Sequence, residues 1–213
     1  VHTVEGLMNV EVPPRAQYLR TIWHEMSRIH SHLLWLGLMA DGLGFESAFM
    51  HFWRIREQLL DVFEKTTGGR VIFSVCKVGG IRHDLDDQMI AESIAALTNI
   101  RSELTVLRDT FLYDSSVHDR LSGVGVLSKQ DALDLGAAGP TARGSGVSFD
   151  ARMDGHGIYD QLGFEPIVET AGDCWARTQV RMREVYQSID MSIKGLKTLP
   201  DGPIEVPVKG RPK

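Results

Sequence analysis

The stretch from Pro13 to Asp41 constrains the fold most, because it reads as one long amphipathic helix. Two prolines open it, and proline is tolerated in a first helical turn because that N–H has no partner within the helix. Apolar residues then recur at intervals of three and four, at Leu19, Ile22, Trp23, Met26, Ile29, Leu33 and Leu36. This spacing lines one face of a helix, which the rest of the chain must bury.

Three further long helices are predicted by the same kind of apolar spacing, over about residues 46–66, 86–112 and 172–199. A short helix is predicted over residues 128–135, with Ser128 as its N-cap. Four amphipathic helices must bury their apolar faces against one another. The fold class is therefore predicted to be mainly α, a bundle of long helices with a few short strands.

Two segments between the helices are predicted to be irregular or extended. Residues 70–75, RVIFSV, are short and rich in β-branched side chains, which favours a strand or an extended segment. Residues 137–160 are rich in glycine and predict an irregular internal loop. A loop of this length inside a compact domain is usually functional or disordered.

Composition indicates a soluble globular protein. Of the 213 residues, 43% are hydrophobic and 24% are charged, which is ordinary for a chain that buries a core, and we expect a single domain over residues 1–213. The net charge of −5 does not suggest a general nucleic-acid-binding role. The longest apolar run, Leu33 to Ala40, is far shorter than the ~20 residues that span a bilayer.

The ends of the chain suggest a piece of a longer subunit. The chain lacks a starting methionine, has no charged and then apolar leader, and closes on a proline-rich segment. Its two cysteines, Cys76 and Cys174, are isolated and give neither a Cys-x-x-Cys pair nor a disulfide framework. We therefore expect an internal part of a subunit from a reducing compartment.

Residue patterns alone give weak evidence of chemistry. His24, His30 and His32 do not share one helical face at metal-ligand spacing, so packed or surface histidines are the favoured interpretation. The Arg143-Gly-Ser-Gly146 segment could hold an anion through backbone N–H groups, but it lacks the frame of a phosphate-binding P-loop. From these patterns the chain is a helical domain with a functional-looking loop.

A family resemblance goes further. The opening block, VEGLMNVEVPPRAQYLRTIWHEMSRIHSHLLWLG, resembles the nickel–iron hydrogenase large-subunit family. It is most similar to the branch shared by energy-converting membrane-bound hydrogenases and the quinone-pocket subunit of respiratory complex I. Four further blocks agree in order, namely FMHFWRIREQLLDVFEKTTGGR, VGGIRHDL, SGVGVLSKQDALDLGAAGPTARGSGVSFDAR and GDCWARTQVRMREVYQSI. The sequence from RTIWHEMSRIHSHLLWLG through to GGRVIFSVCKVGG is closer to the energy-converting hydrogenase type than to complex I.

The resemblance implies an oxidoreductase, with hydrogen chemistry favoured and quinone reduction as the alternative. A nickel–iron centre in this family is held by two Cys-x-x-Cys pairs, and neither pair is present in this chain, which we expect to be inactive alone. In complex I an aspartate of the quinone pocket falls one position from Asp41, and a histidine near the neighbouring iron–sulfur cluster falls on Ile72. That last difference favours the hydrogenase branch. A structural subunit without redox chemistry is a third alternative.

The resemblance also implies partners, whereas the candidate site residues are chosen by residue type, because carboxylates and imidazoles can pass protons over hydrogen-bond distances. We expect a small iron–sulfur subunit and membrane subunits as partners, and a peripheral position on the cytoplasmic face of a membrane. The candidate proton-relay residues are Glu5, His32, Asp41 and Asp84. The candidate partner-facing segment is residues 70–84, with Arg70, Lys77, Gly79 and Gly80.

The glycine-rich loop is expected to support the active-site cavity structurally. Its charged residues are Arg143, Asp150 and Arg152, and we predict that Asp150 pairs with one of the two arginines. Buried backbone groups in such a loop need partners, and these side chains carry enough donors and acceptors to supply them.

Overall fold

The long helix predicted from the apolar stripe is the centre of the fold. The computed structural model describes residues 1–208. Its helices are α1 (His2–Met8), α2 (Pro14–Gly42), α3 (Glu46–Thr67), α4 (Asp87–Leu107), α5 (Ser115–Leu121), α6 (Lys129–Asp134), α7 (Gly139–Gly144), α8 (Tyr159–Leu162) and α9 (Cys174–Lys197). The strands β1 (Cys76–Lys77) and β2 (Gly80–Ile81) pair antiparallel as a small hairpin. The prediction of a mainly α fold is confirmed.

The four long helices form the bundle. Helix α2 packs against both α9 and α3, α3 packs against α4, and α4 packs against α9. The predicted apolar face of α2 lies in the core, where Leu19, Met26, Ile29, Leu33 and Leu36 are fully buried. Helices α2 and α9 run antiparallel, because Glu25 contacts Ser188 whereas His32, further along α2, contacts Glu184.

Side-chain caps explain where several helices begin. Asp173 starts α9 by accepting a hydrogen bond from the backbone N–H of Ala176, at 2.7 Å. Ser128 caps α6 through the backbone N–H of Asp131, as its sequence position predicted. These caps satisfy N–H groups that have no partner within a first helical turn. After Leu107, α4 continues as one π-helical turn, Arg108–Leu112.

The sequence predicts a strand or an extended segment over residues 70–75, and the structure forms no strand there. The segment is irregular, and pairing is confined to the hairpin that follows it. Ser74 has a φ of +40°, outside the conformation of a strand, and Val71 and Ile72 are exposed to solvent. In the described part of the chain, the segment has no neighbouring strand to pair with.

The loop predicted over residues 137–160 contains more regular structure than expected. It includes α7, a 3₁₀ turn at Ala151–Met153 and the start of α8. Pro140 lies in the first turn of α7, where proline is tolerated. Asp150 begins the 3₁₀ turn by accepting a hydrogen bond from the backbone N–H of Arg152.

The hairpin is covered by the end of the described chain. The N–H of Ile81 donates to the carbonyl of Ile204 at 3.0 Å, and the N–H of Val206 donates to the carbonyl of Gly79 at 2.9 Å. These bonds fix residues 204–206 across the hairpin. Among residues 1–208, none of the helices combines the length and apolar character needed to cross a bilayer.

Candidate functional site

A cavity of about 900 Å³ opens beside the N-terminal half of α2. Its wall comes from α1, α2, the segment before the hairpin and the loop that leads into α8. It combines aromatic, imidazole and charged groups, among them His2, Trp23, His24, Phe73, His156 and Tyr159. The cavity is therefore large and chemically mixed, as small-molecule sites often are.

The imidazoles of the cavity wall stand around one tyrosine. The ring centroid of Tyr159 lies 5.7 Å from that of His156 and 6.4 Å from that of His24, both in edge-to-face geometry. Loss of hydration, together with the charge of Arg28, lowers the pKa of His24 below its ordinary value. This wall consequently presents His24 as an uncharged imidazole at neutral pH.

Glu5 and Arg20 form a buried clasp at one side of the cavity. The two guanidinium Nη atoms donate to the two carboxylate oxygens at 2.9 and 2.6 Å, and Gly79 N–H donates to the same carboxylate at 2.8 Å. Burial alone would raise the pKa of Glu5, but these hydrogen bonds outweigh it and lower the pKa. Arg20 also donates to the carbonyl of Gly80, so the clasp ties the hairpin to α2.

A second group of ionised side chains lies inside the bundle. We call it the buried charge cluster, and it consists of Glu25, Arg143, Asp150, Arg152 and Glu184. Each of these residues is at most 4% exposed. They come from α2, α7, the 3₁₀ turn and α9, so four elements meet at this point.

Asp150 is paired with both arginines of the cluster, whereas the sequence predicted a pair with one of them. Arg152 donates to Oδ1 through Nε at 2.9 Å and to Oδ2 through Nη2 at 2.8 Å, and Nη1 of Arg143 also lies 2.8 Å from Oδ2. Burial opposes ionisation of Asp150, but the hydrogen bonds and charges of the two arginines hold its pKa at about 2. The structural role assigned to these three residues stays a prediction.

Glu184 links the cluster to His32. Its two oxygens accept from Arg143 Nε at 2.7 Å and contact His32 Nε2 at 2.7 Å. Burial lowers the pKa of His32, while the contact with Glu184 acts in the opposite direction. For Glu184, burial would raise the pKa, but His32 and Arg143 outweigh it and lower the pKa.

The other two relay candidates lie elsewhere. Asp84 accepts from Arg15 Nε at 2.8 Å and its side chain is 44% exposed. Asp41 is exposed near the end of α2, 21 residues after Arg20, which corresponds to about 30 Å along a helix. Glu5, His32, Asp41 and Asp84 thus do not form one cluster, and their relay role stays a prediction.

The predicted partner-facing segment is partly covered by the chain itself. Arg70 binds three carboxylates of α3, those of Glu57, Asp61 and Glu64, and Lys77 pairs with Glu205. Gly79 and Gly80 lie beneath residues 204–206. Its exposed residues include an apolar pair, Val71 at 60% and Ile72 at 87%, and the polar group Arg82, His83 and Asp84.

The described residues do not supply a ligand set for a nickel–iron centre. Residues 1–208 contain no group of three or more histidine, cysteine, aspartate or glutamate side chains placed to hold a metal ion. Cys76 lies in the hairpin beside the cavity, whereas Cys174 begins α9. Gly195, near the other end of α9, contacts Ile22 in the N-terminal half of α2, on the side of the bundle where Cys76 lies. The two thiols therefore lie at opposite ends of the bundle.

The family model described as the respiratory-chain NADH dehydrogenase 49 kDa subunit matches residues 42–211. The chain belongs to this family. The resemblance inferred from the sequence is therefore confirmed at the family level.

Three relatives match nearly the whole chain at similar identity. They are a subunit of the F(420)H(2) dehydrogenase of Methanosarcina mazei (40% identical over 96% of the chain), the alpha subunit of the membrane-bound hydrogenase of Pyrococcus furiosus (37%, 96%) and a subunit of the NADH-quinone oxidoreductase of Bacteroides fragilis (39%, 97%). The chain spans 55%, 50% and 39% of the lengths of these relatives, respectively. All three are named as subunits of oxidoreductases.

Sequence reasoning missed Glu25, Glu184 and Tyr159 as site residues. The available signal was a charge inside an apolar stripe: Glu25 lies between Ile22 and Ile29, on the face of α2 that is buried. A charged residue at such a position is rarely tolerated unless a partner compensates it. The partners come from distant parts of the chain, so their identity could not be inferred from spacing.

Proposed function

We propose that the complete subunit is the catalytic large subunit of a membrane-associated oxidoreductase complex that reduces protons to hydrogen or oxidises hydrogen. The observation that carries this proposal is the match to the alpha subunit of a membrane-bound hydrogenase over 96% of the chain. The amino-acid sequence of the blocks around α2 and α3 supports the same branch, as does Ile72 at the position where complex I has a histidine.

In this proposal the described residues transfer protons to the site of hydrogen chemistry. Hydrogen formation consumes protons as well as electrons, and a positioned imidazole or carboxylate can transfer them over hydrogen-bond distances. Among the four relay candidates, His32 fits this role best, because it contacts Glu184 directly. Glu5 and Asp84, in contrast, are hydrogen-bonded to Arg20 and Arg15. A nickel–iron centre would take its ligands from outside the described residues, and an iron–sulfur partner would supply electrons.

Quinone reduction is the second candidate, and the cavity favours it. A volume of about 900 Å³ lies within the range of small-molecule sites, and Trp23 and Phe73 give its wall the aromatic surface that a planar head group needs. His24 and His156 could donate hydrogen bonds to quinone carbonyl oxygens. The similarity to a subunit of an NADH-quinone oxidoreductase, 39% over 97% of the chain, supports this candidate equally well.

The proposed surroundings are a small iron–sulfur subunit and membrane subunits, with the chain peripheral on the cytoplasmic face. The exposed apolar pair Val71 and Ile72 supports a docking role for residues 70–84. The covered glycines and the internally paired Arg70 would then shape this surface instead of contacting the partner.

The deciding experiment uses the native complex isolated from its source. Hydrogen evolution is measured with a chemically reduced viologen as donor, quinone reduction is measured with a short-chain quinone, and nickel is measured by elemental analysis. Hydrogen evolution together with stoichiometric nickel supports the first proposal. Quinone reduction without nickel supports the second candidate, and an assembled complex with neither activity supports a structural subunit without redox chemistry.

A further inference from the structure

The buried charge cluster contains more carboxylates than arginines. Glu25, Asp150 and Glu184 supply three acidic groups, and Arg143 and Arg152 are the two arginines buried among them. A buried carboxylate is stable as an ion only when a nearby cation and hydrogen bonds compensate its lost hydration. The two arginines cannot compensate all three carboxylates equally.

The distances show which carboxylate is compensated least. Arg152 and Arg143 approach Asp150 to 2.8 Å, and Arg143 approaches Glu184 to 2.6 Å. Glu25 is 3.4 Å from Arg152 Nη1 and 3.3 Å from Arg28 Nε. Both contacts are longer than the 2.7–2.9 Å typical of charge-assisted hydrogen bonds.

Uncharged hydroxyl groups make the short contacts to Glu25 instead. Ser188 donates to Oε2 at 2.6 Å, and Tyr159 donates to Oε1 at 2.8 Å. Glu25 itself is completely buried. Hydroxyl groups can accept as well as donate, so this environment accommodates a protonated carboxylic acid as well as a carboxylate.

Tyr159 connects this carboxylate with the cavity. Its ring forms part of the cavity wall next to His24 and His156, and its hydroxyl reaches Glu25 inside the cluster. Burial and the charge of Glu25 raise the pKa of Tyr159, so the phenol keeps its proton over the physiological range. It is therefore a proton donor placed between the cluster and the cavity.

The titratable and permanently charged groups around Glu25 come from every element packed against it. Helix α2 contributes His24, Arg28 and His32, α8 contributes Tyr159, and α9 contributes Glu184. The 3₁₀ turn and its cap contribute Arg152 and Asp150, and α7 contributes Arg143. The arginines are permanently charged and Asp150 is held ionised, so these groups do not exchange protons with the cavity near neutral pH.

We propose that Glu25 is a proton-binding carboxylate inside the bundle and that it exchanges its proton with the cavity through the hydroxyl of Tyr159. The proposal rests on the proposed redox function, because hydrogen formation and quinone reduction both consume protons. It assigns a role to two residues that the sequence did not single out, and it does not depend on which acceptor is reduced.

The proton transfer has two concerted parts. The Tyr159 hydroxyl gives its proton to the acceptor in the cavity while protonated Glu25 gives its proton to the Tyr159 oxygen. Glu25 is left as a carboxylate, which is the state in which Tyr159 donates to it. It is reprotonated along the same path, when a hydronium ion in the cavity gives a proton to the Tyr159 oxygen while the Tyr159 hydroxyl passes its own proton to Glu25. Neither side chain changes its oxidation state in this step, and the electrons come from the proposed iron–sulfur partner.

The test compares Glu25→Gln and Tyr159→Phe with the unmodified native complex. In both variants we expect turnover to fall by about 10²-fold, the scale of a lost acid–base group, and its dependence on pH to change. Reduction of the iron–sulfur partner by the donor should keep its rate. Infrared difference spectra recorded over a pH titration should contain a carboxylic-acid carbonyl band that Glu25→Gln removes.

Tyr18→Phe is the matched control, because Tyr18 lies on the same helix and, within residues 1–208, its exposed hydroxyl bonds only to Gln161, at 2.6 Å. It should leave turnover and its pH profile unchanged. The proposal is overturned if Tyr159→Phe retains the parental turnover and pH profile, or if the infrared band survives in Glu25→Gln. If Glu25→Gln does not assemble, Tyr159→Phe decides, since it removes no charge.

The infrared titration separates this inference from the proposed function. A parent complex that reduces neither protons nor quinone contradicts the proposed function. The band assigned to Glu25 can still be titrated in that complex, and its absence there contradicts the inference.

Discussion

Asp150 lies between Arg143 and Arg152 and is almost completely buried. Its two arginines belong to different elements, α7 and the 3₁₀ turn, and Arg143 also binds Glu184 of α9. One side chain thus joins the glycine-rich loop to the long helices. The position has consequences for stability that can be measured directly.

Replacement of Asp150 by asparagine should destabilise the protein by about 3–5 kcal/mol, because it leaves two buried guanidinium groups without part of their counter-charge. The thermal unfolding midpoint measures this loss. Asp154→Asn is the matched control, since Asp154 is an exposed residue in the same loop. An unchanged midpoint for Asp150→Asn, together with lost activity of the assembled enzyme, would contradict the structural role and favour a catalytic one.

Acid should remove the same contribution without a mutation. The pKa of Asp150 is about 2 in the folded protein and 3.8 in a model peptide, so its ionisation stabilises the fold above about pH 4. That contribution, on the order of 2–3 kcal/mol, is lost as the pH falls from about 4 to about 2. Denaturant unfolding at several pH values should show this loss in the parent, and Asp150→Asn should lack it.

The β-hairpin is held in place by parts of the chain that are distant from it in the sequence. Arg20 and Glu5 hold it from the side of α2 and α1, and residues 204–206 cover it from the opposite end of the sequence. Its turn needs glycine for steric reasons. A Cβ atom on Gly80 would lie 2.2 Å from the carbonyl oxygen of Ile204, and Gly80 has a φ of +156°.

We expect Gly80→Ala to lower the free energy of unfolding by about 1–3 kcal/mol, through overpacking against backbone atoms that cannot move away. Gly42→Ala is the control, because a Cβ at Gly42 would meet no atom of the described residues within 4 Å and its φ is not positive. Chemical denaturation of both variants makes the comparison. Equal stability of the two would contradict the close approach at Gly80.

At the scale of the whole molecule, the apolar core and the exposed apolar surface are separate. The bundle buries its helical stripes in one large core, whereas Val71 and Ile72 stay outside it on the segment before the hairpin. Exposed apolar groups of this kind often mark interfaces. Phe73, between this pair and the hairpin, stacks on Phe63 of α3 at 4.5 Å and anchors the segment to the bundle.

If residues 70–84 dock the proposed small iron–sulfur subunit, Ile72→Glu should prevent its co-purification, because a charge would be buried in the interface. The unfolding midpoint of the chain should stay unchanged. Leu135→Glu is the control, since Leu135 is similarly exposed, at 77%, but lies after α6. A native complex that assembles normally with Ile72→Glu would show that this segment faces solvent.

The four long helices and the family could be predicted from the amino-acid sequence alone. Apolar spacing is a local signal, and each helix buries the stripe that its own residues define, so α2, α3, α4 and α9 could be predicted within a few residues. Predictions from the sequence failed where a structure depends on a partner that is distant in the sequence. Residues 70–75 have strand-forming side chains, but the described structure offers them no strand to pair with.

The arrangement of the site, in contrast, is a product of the three-dimensional packing. Glu25 and Glu184 are 159 positions apart in the sequence, yet the same guanidinium group of Arg152 lies within 4 Å of both. Conversely, residue type makes both Asp41 and Glu5 relay candidates, but they lie far apart. Glu5 is bonded to Arg20 near the start of α2, whereas Asp41 lies near its end. Electrostatic compensation of a buried charge depends on distances of a few ångströms in space. The packing of α2 against α9 and the loop between α7 and α8 sets those distances.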